Sequence, residues 1–492
     1  MNGEIITIAQ MRAIDAAAAL AGASKRTLME NAGRAVAEVI AQRFSARSTI
    51  VLCGPGDNGG DGWVAARVLK EMGWPVAVRA LAPPAQLGGA AGDAARAWEG
   101  ETCALGAGDS EAELFVDALF GAGLSRALEG ESAALARVLA PARVVAIDVP
   151  SGLNGDTGYP IGAVCFRAGL TVTFVRKKPA HVLLPGRALC GNVLVADISV
   201  PASVIDAQNI ALWENSPERW SDMFPRPTFE AHKHARGHVL VASGGHMRTG
   251  AARLAARAAL RVGAGLVTVL SQPDALAENA AQLTAIMLRE AGSLSAYAEA
   301  AQHAQCALVG PAFGLTLEHR ACLDAALDAS ARCALVLDAD ALTMLAPLNR
   351  KLDPRDVLTP HVGEFKRAFP GLLEGAVNRI DAARAAATLA GCVVLLKGPD
   401  TIVAAPDGRA VVNTTGTPFL ATAGSGDVLA GLITGLIGQG MASFEAAAAG
   451  AWLHGRTGED LGPGLIAEDL TEVLPSILKS LAVMSPRDAW DG

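Results

Sequence analysis

Two carboxylates, Asp57 and Asp61, lie inside the glycine-rich stretch GPGDNGGDG at residues 54–62. The stretch has the G-x-G-x-x-G spacing of a dinucleotide-binding turn and lies between a strand-like and a helix-like run. It contains no Lys or Arg, however, and two carboxylates repel a pyrophosphate at a helix N-terminus. The next predicted strand offers Arg79 instead of the acidic residue that would hold a ribose. These residues argue against an ordinary hydride-transfer site.

Two further carboxylates follow strand-like runs of the same series. Asp117 ends a strand in LFVDALFGAG, and Asp148 ends one in RVVAIDVPSG, where Ser151 follows. The carboxyl ends of parallel strands meet at one edge of a sheet, so we expect these loops and the 54–62 loop to share a crevice. Asn58, Asp117 and Ser151 supply oxygen atoms that suit a hard cation, which would offset carboxylates near a phosphate. The alternative for Asp117 or Asp148 alone is a helix or turn cap.

A second candidate site lies in LATAGSGDVLAGLITGL at residues 420–436. A turn of small residues ending in Asp427 opens an apolar helix, and successive N–H groups at such a start bind anions. Asp427 can take a proton from a hydroxyl group as that hydroxyl attacks a phosphoryl group. Its alternative role is an N-terminal helix cap. KGPDT (397–401) and TPHVGEF (359–365) also follow predicted strands, where a nucleotide would lie.

Strand-like and helix-like runs alternate along most of the chain, which predicts parallel α/β sheets. The first series of strands is TIVLC, PVAVRAL, LFVDALF, RVVAIDV, LTVTFV and NVLVADI. The second is HVLVAS, LVTVLS, CALVG, CALVLDA, VVLLKG and the hairpin TIVAAPDGRAVVN. A polar stretch with three Pro and no periodicity separates the two series. We therefore predict a first domain over residues 1–215, a linker over 216–231 and a second domain over 232–492.

The composition narrows the setting of these domains. The 492-residue chain is 51% hydrophobic and 18% charged, which is typical of a globular protein with more than one domain. A formal net charge of −8 argues against a nucleic-acid-binding surface. The eight Cys form no C-x-x-C pair, which favours reduced thiols over disulfides or a zinc site. No signal-peptide pattern or membrane-length apolar run is visible, so we expect a cytoplasmic protein without a membrane partner.

The helix TLMENAG and then GPGDNGGDG, DALFGAG and DVPSGLNGD, in that order, resemble the NAD(P)H-hydrate epimerase family. This family interconverts the R and S hydrates of NADH and NADPH and binds potassium, which implies a K+ site at Asn58, Asp117 and Ser151. Asp148 is the best-placed catalytic residue, because a carboxylate in a closed cleft can have its pKa raised into a useful range. The residues implied to contact the hydrate are Asp57, Asn58, Gly59, Gly60, Asp61, Gly121, Ala122, Gly123, Leu124, Ser125, Arg126, Ala127 and Asp148. The family usually has Asn where this chain has Asp57.

Six stretches of the second domain follow in a specific order: HKHARGHVLVASGGHMRTGAARLAARAALRVGAGLVTV, LVGPAFG, LDADAL, TPHVGEF, KGPDT and AGSGDVLAG. They resemble the ribokinase-like fold and, within it, the ADP/ATP-dependent NAD(P)H-hydrate dehydratases. The resemblance implies that Asp427 is the catalytic base and contacts the hydrate together with Ala251, Gly314 and His361. It places the adenine nucleotide on Lys397, Gly398, Pro399, Asp400, Thr401 and Gly426. The family commonly has Gly where this chain has Ala312.

Together the resemblances imply a bifunctional NAD(P)H-hydrate repair enzyme. Its Rossmann-like three-layer α/β/α domain would epimerise R- and S-NADHX and NADPHX. Its ribokinase-like α/β domain would dehydrate the S form to NAD(P)H with ADP, accompanied by Mg2+, giving AMP and phosphate. We also expect a homo-oligomer. Two alternatives remain: a small-molecule kinase of the hydroxymethylthiazole type, whose phosphorylated product is stable, and a first domain that binds without catalysing a reaction.

Overall fold

The computed structural model describes residues 3–106, 111–329 and 332–484. The chain divides into two compact units, Gly3–Leu212 and the part from Trp213 onward. The predicted domain limits at residues 215 and 232 stay predictions. The outermost predicted limits, residues 1 and 492, lie outside the described residues.

The first unit is built on a seven-stranded sheet. Its strands are β1 (Thr49–Cys53), β2 (Val76–Ala80), β3 (Thr102–Ala104), β4 (Leu114–Ala118), β5 (Val144–Ile147), β6 (Leu170–Phe174) and β7 (Asn192–Ala196). They lie in the order β3-β2-β1-β4-β5-β6-β7, and neighbouring strands run parallel. Strands β1, β4 and β5 are buried along their whole length, because both faces of the sheet are covered.

Helices follow most of these strands. Those described are α1 (Ile8–Leu20), α2 (Lys25–Arg43), α3 (Asp57–Glu71), α4 (Gly89–Arg96), α5 (Gly130–Val138), α6 (Gly186–Cys190) and α7 (Ala202–Asp206). Helix α1 begins at a capping box, in which Thr7 and Gln10 each accept a hydrogen bond from the other's backbone N–H. Helix α3 begins at Asp57, directly after the glycine turn that follows β1. The carboxylates of that turn therefore lie at a helix start, beyond the carboxyl end of a strand.

The second unit is built on a ten-stranded sheet. Its strands are β8 (Leu212–Glu214), β9 (His238–Ala242), β10 (Leu266–Ser271), β11 (Met287–Glu290), β12 (Cys306–Val309), β13 (Ala334–Leu337), β14 (Val357–Leu358), β15 (Val393–Leu396), β16 (Ile402–Ala404) and β17 (Ala410–Val412). Their order is β11-β10-β9-β12-β13-β14-β15-β16-β17-β8. The strands from β11 to β15 in this order pair in parallel, whereas β16 pairs antiparallel with β15 and β17.

An apolar helix lies in the core of this unit. The described helices are α8 (Gly250–Arg261), α9 (Leu276–Ala280), α10 (Leu294–Gln302), α11 (Leu317–Asp328), α12 (Ala339–Leu345), α13 (Val362–Ala368), α14 (Leu372–Gly375), α15 (Arg379–Ala390), α16 (Ser425–Gly438), α17 (Ser443–Leu461) and α18 (Ala467–Met484). Helix α16 packs on α8 so closely that a Cβ atom at Gly431 would lie 2.2 Å from the carbonyl oxygen of Ala255. Its glycines thus serve helix packing. Within the described ranges, no helix combines the length and the apolarity needed to cross a membrane.

The fold-class prediction is confirmed, since each unit is an α/β structure with a mainly parallel sheet. Strands β3, β8 and β11 were not predicted from the sequence. All three are edge strands, and β3 and β11 are largely exposed. A strand at the edge of a sheet is covered less completely, so it carries no long apolar run.

Candidate functional site

The glycine-rich loop of the first unit packs directly against the loop that follows β4. A Cβ atom at Gly54 would lie 1.7 Å from the carbonyl oxygen of Leu119. One at Gly59 would lie 1.9 Å from the carbonyl oxygen of Gly54. Only residues without a Cβ atom allow these approaches. The glycine spacing therefore brings the start of α3 against the loop at residues 119–124.

A cavity of about 760 Å³ lies at these loops. Its volume falls in the range of pockets that bind small molecules and cofactors. The predicted hydrate contacts that line it are Asp57, Asn58, Asp61, Gly121, Ala122, Gly123, Leu124 and Asp148. The predicted contacts outside its lining are Gly59, Gly60, Ser125, Arg126 and Ala127. Helices α1 and α2 also contribute to the wall, which the sequence analysis did not include.

Asp148 follows β5 with a left-handed backbone, φ 66°. Its Oδ2 accepts a hydrogen bond from the Ala122 N–H at 2.9 Å, and its Oδ1 accepts one from the Thr173 hydroxyl at 3.0 Å. Burial acts to raise the pKa of Asp148, but the positive charge of Lys178 and the Ala122 N–H outweigh burial and lower this pKa to about 2. The expectation of a raised pKa is therefore wrong, because it did not include a cation at this carboxylate. Asp148 is ionised.

Lys178 is a residue of this site that the sequence analysis missed. It is 1% exposed, and its ammonium group contacts Oδ1 of Asp148 at 2.9 Å, the Thr173 hydroxyl at 2.8 Å and the Phe174 carbonyl at 3.1 Å. These three acceptors match its three N–H donors. The available signal was a Lys shortly after an apolar strand, in LTVTFVRKKP.

A neutral histidine, His181, forms hydrogen bonds with the backbones of both Lys178 and Asp148. Nδ1 of His181 accepts the Lys178 backbone N–H at 2.9 Å, so Nε2 carries the hydrogen and donates to the Asp148 carbonyl at 2.9 Å. Burial and the Lys178 charge lower the pKa of His181 to about 4. The ring therefore stays neutral and fixes the backbone on both sides of the ion pair.

Three further carboxylates line the same cavity. Burial and the charges of Asp148, Asp57 and Asp15 raise the pKa of Asp61 well above its ordinary value. Burial likewise raises the pKa of Asp15 to about 6. Asp57 instead lies 2.8 Å from the ammonium group of Lys25, and both side chains are largely exposed. The cavity thus combines an ionised Asp148 with an Asp61 whose raised pKa favours its protonated form.

Asp117 and Ser151, two of the predicted cation ligands, contact each other. The buried Asp117 carboxylate accepts the Ser151 N–H at 2.7 Å and the Ser151 hydroxyl at 2.6 Å. That hydroxyl in turn accepts the Phe120 N–H at 2.9 Å. Burial raises the pKa of Asp117 to about 6, although the Ser151 hydrogen bonds oppose this. The contact ties the end of β4 to the loop after β5.

The third predicted ligand, Asn58, lies beside Gly121. A Cβ atom at Gly121 would lie 3.3 Å from Oδ1 of Asn58 and 3.1 Å from Oδ2 of Asp148. The buried Nδ2 of Asn58 has no hydrogen-bond partner among the described residues. In the described ranges, no three His, Cys, Asp or Glu side chains are grouped to hold a metal. A cation here would therefore depend on amide, hydroxyl and backbone oxygens beside one carboxylate.

In the second unit, α16 begins at the predicted anion-binding turn. Gly424 occupies the N-cap position with φ 83°, and Asp427 lies in the first turn, so the alternative of Asp427 as the N-cap is wrong. Lys397 Nζ lies 2.7 Å from Oδ1 of Asp338 and would lie 3.6 Å from a Cβ atom at Gly426. Burial and the charge of Asp338 raise the pKa of Asp427 to about 6, against the opposing charge of Lys397.

The Asp427 side chain has no hydrogen-bond or ion-pair partner within the described part of the chain. Its first-turn position places it beside the N–H groups that open α16. A carboxylate with a raised pKa and unoccupied oxygens can accept a proton from a bound hydroxyl group.

The KGPDT loop follows β15 and is stabilised by hydrogen bonds between its own residues. The Thr401 hydroxyl donates to the Gly398 carbonyl at 2.7 Å and accepts the Gly398 N–H at 3.2 Å. Asp400 is fully buried and forms an ion pair with Arg379 at the start of α15. The Asp400 side chain therefore has a partner inside the protein, which the sequence analysis did not include.

His361 lies beside the KGPDT loop. Its backbone forms a parallel bridge with Lys397. Its ring caps α13, since Nδ1 accepts the Gly363 N–H at 2.9 Å. The structure thus places His361 beside Lys397, whose ammonium group lies near Gly426 in the first turn of α16.

The other predicted hydrate contacts of this unit lie on separate segments. Ala251 is in the first turn of α8, and Gly314, with φ 115°, follows β12. Hydrogen bonds among the described residues join neither of them to Asp427. Nearby, Ala312 has φ 51°, a left-handed conformation that costs a residue with a Cβ atom roughly 1–2 kcal/mol. This conformation explains why Gly is common at that position in the family that the domain resembles.

Two protein-family models match the chain in succession. The model described as YjeF-related protein N-terminus matches residues 25–180, and the model described as NAD(P)H-hydrate dehydratase matches residues 239–477. The bifunctional NAD(P)H-hydrate repair enzyme of Moorella thermoacetica is 38% identical over 92% of this chain and 92% of its own length. The enzyme of the same name from Escherichia coli is 33% identical over 94% of this chain and 91% of its own length.

Among solved structures, the ADP/ATP-dependent NAD(P)H-hydrate dehydratase of Bacillus subtilis, co-crystallized with ATP/Mg2+, is 29% identical. The structural match covers 55% of this chain and 98% of the Bacillus subtilis chain, with a TM-score of 0.48. The curated relatives extend over nearly the whole chain, and the two models include both candidate sites. The family models and the curated relatives confirm the resemblances of both domains. The chain belongs to the family of bifunctional NAD(P)H-hydrate repair enzymes.

Proposed function

We propose that this chain repairs hydrated nicotinamide cofactors, with one activity in each unit. The first unit interconverts R- and S-NADHX and NADPHX, and the second dehydrates the S form to NAD(P)H with ADP, releasing AMP and phosphate. The observation that most supports the second step is the unpartnered Asp427 carboxylate at a helix start suited to a phosphoryl group. A homo-oligomeric state and a cytoplasmic location stay predictions from the sequence.

The carboxylates of the first cavity suit epimerisation because their protonation states differ. Lys178 keeps Asp148 ionised, whereas the pKa of Asp61 is raised well above its ordinary value. Asp61 donates its proton to the hydroxyl group of the hydrate, which leaves as water with the electron pair of the carbon–oxygen bond. The lone pair of the ring nitrogen forms a double bond to the carbon that lost the hydroxyl group. Ionised Asp148 stabilises the positive charge of the resulting iminium ion. Water then adds to the opposite face and loses a proton to solvent, and Asp61 regains its proton from solvent.

Potassium fits the region of Asn58, Asp117 and Ser151. The donors available there are carboxylate, hydroxyl and amide oxygens, which suit hard cations. The amide of Asn58 is buried with an unpartnered end, and rotation of that amide would present its oxygen to an ion. When bound, K+ would offset carboxylate charge near the phosphates of the hydrate.

In the second unit, Asp427 acts as the general base. It takes the proton of the hydrate's hydroxyl group as that oxygen attacks the β-phosphorus of ADP, and AMP leaves with the electrons of the broken P–O bond. The N–H groups at the start of α16 and the ammonium group of Lys397 bind the phosphoryl oxygens. The ring nitrogen then expels phosphate, a better leaving group than hydroxide. Loss of a proton from the neighbouring ring carbon restores the dihydropyridine.

Magnesium fits as an ion brought in by the nucleotide. Proteins commonly hold Mg2+ through one or two carboxylates together with phosphates of the substrate. Asp338 and Asp427 are carboxylates whose charges interact near the start of α16. The ion would neutralise charge on the phosphates of ADP.

The test combines purified protein, a mixture of R and S hydrate, and ADP. Complete conversion to NAD(P)H, with AMP and phosphate formed in equal amounts, would support both activities. A small-molecule kinase would release AMP and accumulate a phosphorylated hydrate without NAD(P)H. A first unit that only binds would leave the R hydrate unconverted. A parallel reaction with ATP in place of ADP measures the nucleotide preference.

A further inference from the structure

Arg12, a cation in the wall of the first cavity, is not paired with a carboxylate among the described residues. Arg12 of α1 lines the cavity, is exposed, and has no hydrogen bond or ion pair with any residue in the described ranges. The Asp15 carboxylate lies one turn further along the same helix, yet the two side chains form no ion pair. The guanidinium group of Arg12 therefore has all its donors available to a ligand.

The other cations of this wall are already used. The three N–H donors of Lys178 contact Asp148, Thr173 and Phe174. Lys25 lies 2.8 Å from the Asp57 carboxylate. An anionic ligand that enters the cavity can therefore pair with Arg12 without breaking an existing ion pair.

The position of Arg12 is set by a well-anchored helix. The capping box of Thr7 and Gln10 closes the start of α1, and the Ile8 N–H donates to Oδ1 of Asp156 at 2.8 Å. Ile14 and Ala18 are fully buried on the other side of the helix. A Cβ atom at Gly123 would lie 3.3 Å from Nη2 of Arg12, so the guanidinium group reaches the turn after β4.

We propose that Arg12 binds a phosphate group of the hydrated dinucleotide in the first unit, and the proposal rests on the epimerase function given above. The cavity wall carries four carboxylates, Asp15, Asp57, Asp61 and Asp148, whereas the substrate itself is anionic. Binding such a substrate requires a cation directed at its phosphates. The planar fork of an arginine matches two phosphate oxygens at once, which a lysine cannot do.

Two phosphate sources share this chemistry, the pyrophosphate of both substrates and the 2′-phosphate that only NADPHX carries. The experiment measures KM and kcat of epimerisation for NADHX and for NADPHX with the full-length wild type, Arg12→Ala and Arg12→Lys. Arg43→Ala is the matched control, because it removes a positive charge at the end of α2 outside the cavity lining.

Arg12→Ala should raise KM by about 10- to 100-fold, the loss expected for hydrogen bonds to a charged group, and leave kcat within about twofold. Arg12→Lys should fall between Arg12→Ala and wild type, and Arg43→Ala should behave as wild type. A rise for both substrates assigns Arg12 to the pyrophosphate, and a rise for NADPHX alone assigns it to the 2′-phosphate. An unchanged KM for both substrates in an active Arg12→Ala variant overturns the proposal and leaves the epimerase function intact. A wild type that does not epimerise either hydrate overturns the epimerase function itself.

Discussion

The ammonium group of Lys178 lies 2.9 Å from Oδ1 of Asp148 at the wall of the first cavity. The Lys178 side chain is 2% exposed, whereas the Asp148 side chain keeps 18% of its surface exposed. The cation is thus shielded from water, and the carboxylate presents an ionised edge to the cavity. This arrangement holds a negative charge where the proposed epimerisation develops positive charge on the nicotinamide ring.

Replacing Lys178 by Met should lower the free energy of unfolding by about 3–5 kcal/mol, because a largely buried carboxylate loses its cation. Lys25→Met is the matched control, since it removes an exposed pair with Asp57 and should cost about 0–1 kcal/mol. Urea unfolding of both variants at neutral pH measures the difference. Equal losses in the two variants would contradict the shielding of the Lys178 pair.

The same ion pair sets a pH dependence of stability. Because folding lowers the pKa of Asp148 from 3.8 to about 2, its stabilising contribution is present above pH 3.8 and is lost as the pH falls through about 2. In Lys178→Met the pKa of Asp148 should rise. The free energy of unfolding of the variant should therefore fall less on acidification than that of the wild type. Urea unfolding between neutral and acid pH compares wild type with the variant.

Asp148→Asn should abolish epimerisation and spare dehydration. With excess ADP, wild type should clear an R/S mixture completely, because removal of S draws R across. The variant should consume S at the normal rate and then stall, since loss of one group that stabilises transition-state charge typically costs about 100- to 1,000-fold. NAD(P)H absorbance followed over time measures both phases, and pure S hydrate is the control. Clearance of both epimers at the wild-type rate would contradict a role of Asp148 in epimerisation.

Asp427→Asn should reduce ADP-dependent dehydration by about 100- to 10,000-fold while largely preserving ADP binding, because the base is lost and the helix start remains. Since the pKa of Asp427 is raised to about 6 and the base must be ionised, wild-type kcat should rise with pH through about 6. The variant's residual rate should lack this limb. A kcat profile with titration of ADP binding measures both, and near-wild-type dehydration by the variant would refute Asp427 as the base.

Asp117→Asn should weaken potassium binding by at least about 10-fold, because a carboxylate ligand loses its charge while its shape is kept, and the one amide oxygen can accept only one of the two hydrogen bonds from Ser151. The KM of epimerisation should rise, and dehydration of S hydrate should not change. Epimerase KM in potassium and in sodium buffer, for wild type and variant, measures the effect. A wild type that responds identically to both salts would remove the basis for a K+ site.

The sequence by itself determined the two α/β series and the residues at their strand ends. Strands buried on both sides, such as β1, β5 and β15, must be almost continuously apolar, so their positions are visible without a structure. The carboxylates Asp57, Asp61 and Asp148 follow such strands and Asp117 lies near the end of β4, and parallel strands collect their carboxyl ends at one edge. Edge strands such as β3 escaped prediction because nothing obliges an exposed strand to be apolar.

Only the tertiary structure decided how these groups are charged and what shares their cavity. Whether the pKa of Asp148 is raised or lowered depends on Lys178, which reaches it from the segment after another strand. The contribution of Arg12 likewise depends on α1 lying against the turn at Gly123. A pKa and a partner are set by groups close in space, and residues far apart along the chain become neighbours only when the chain folds.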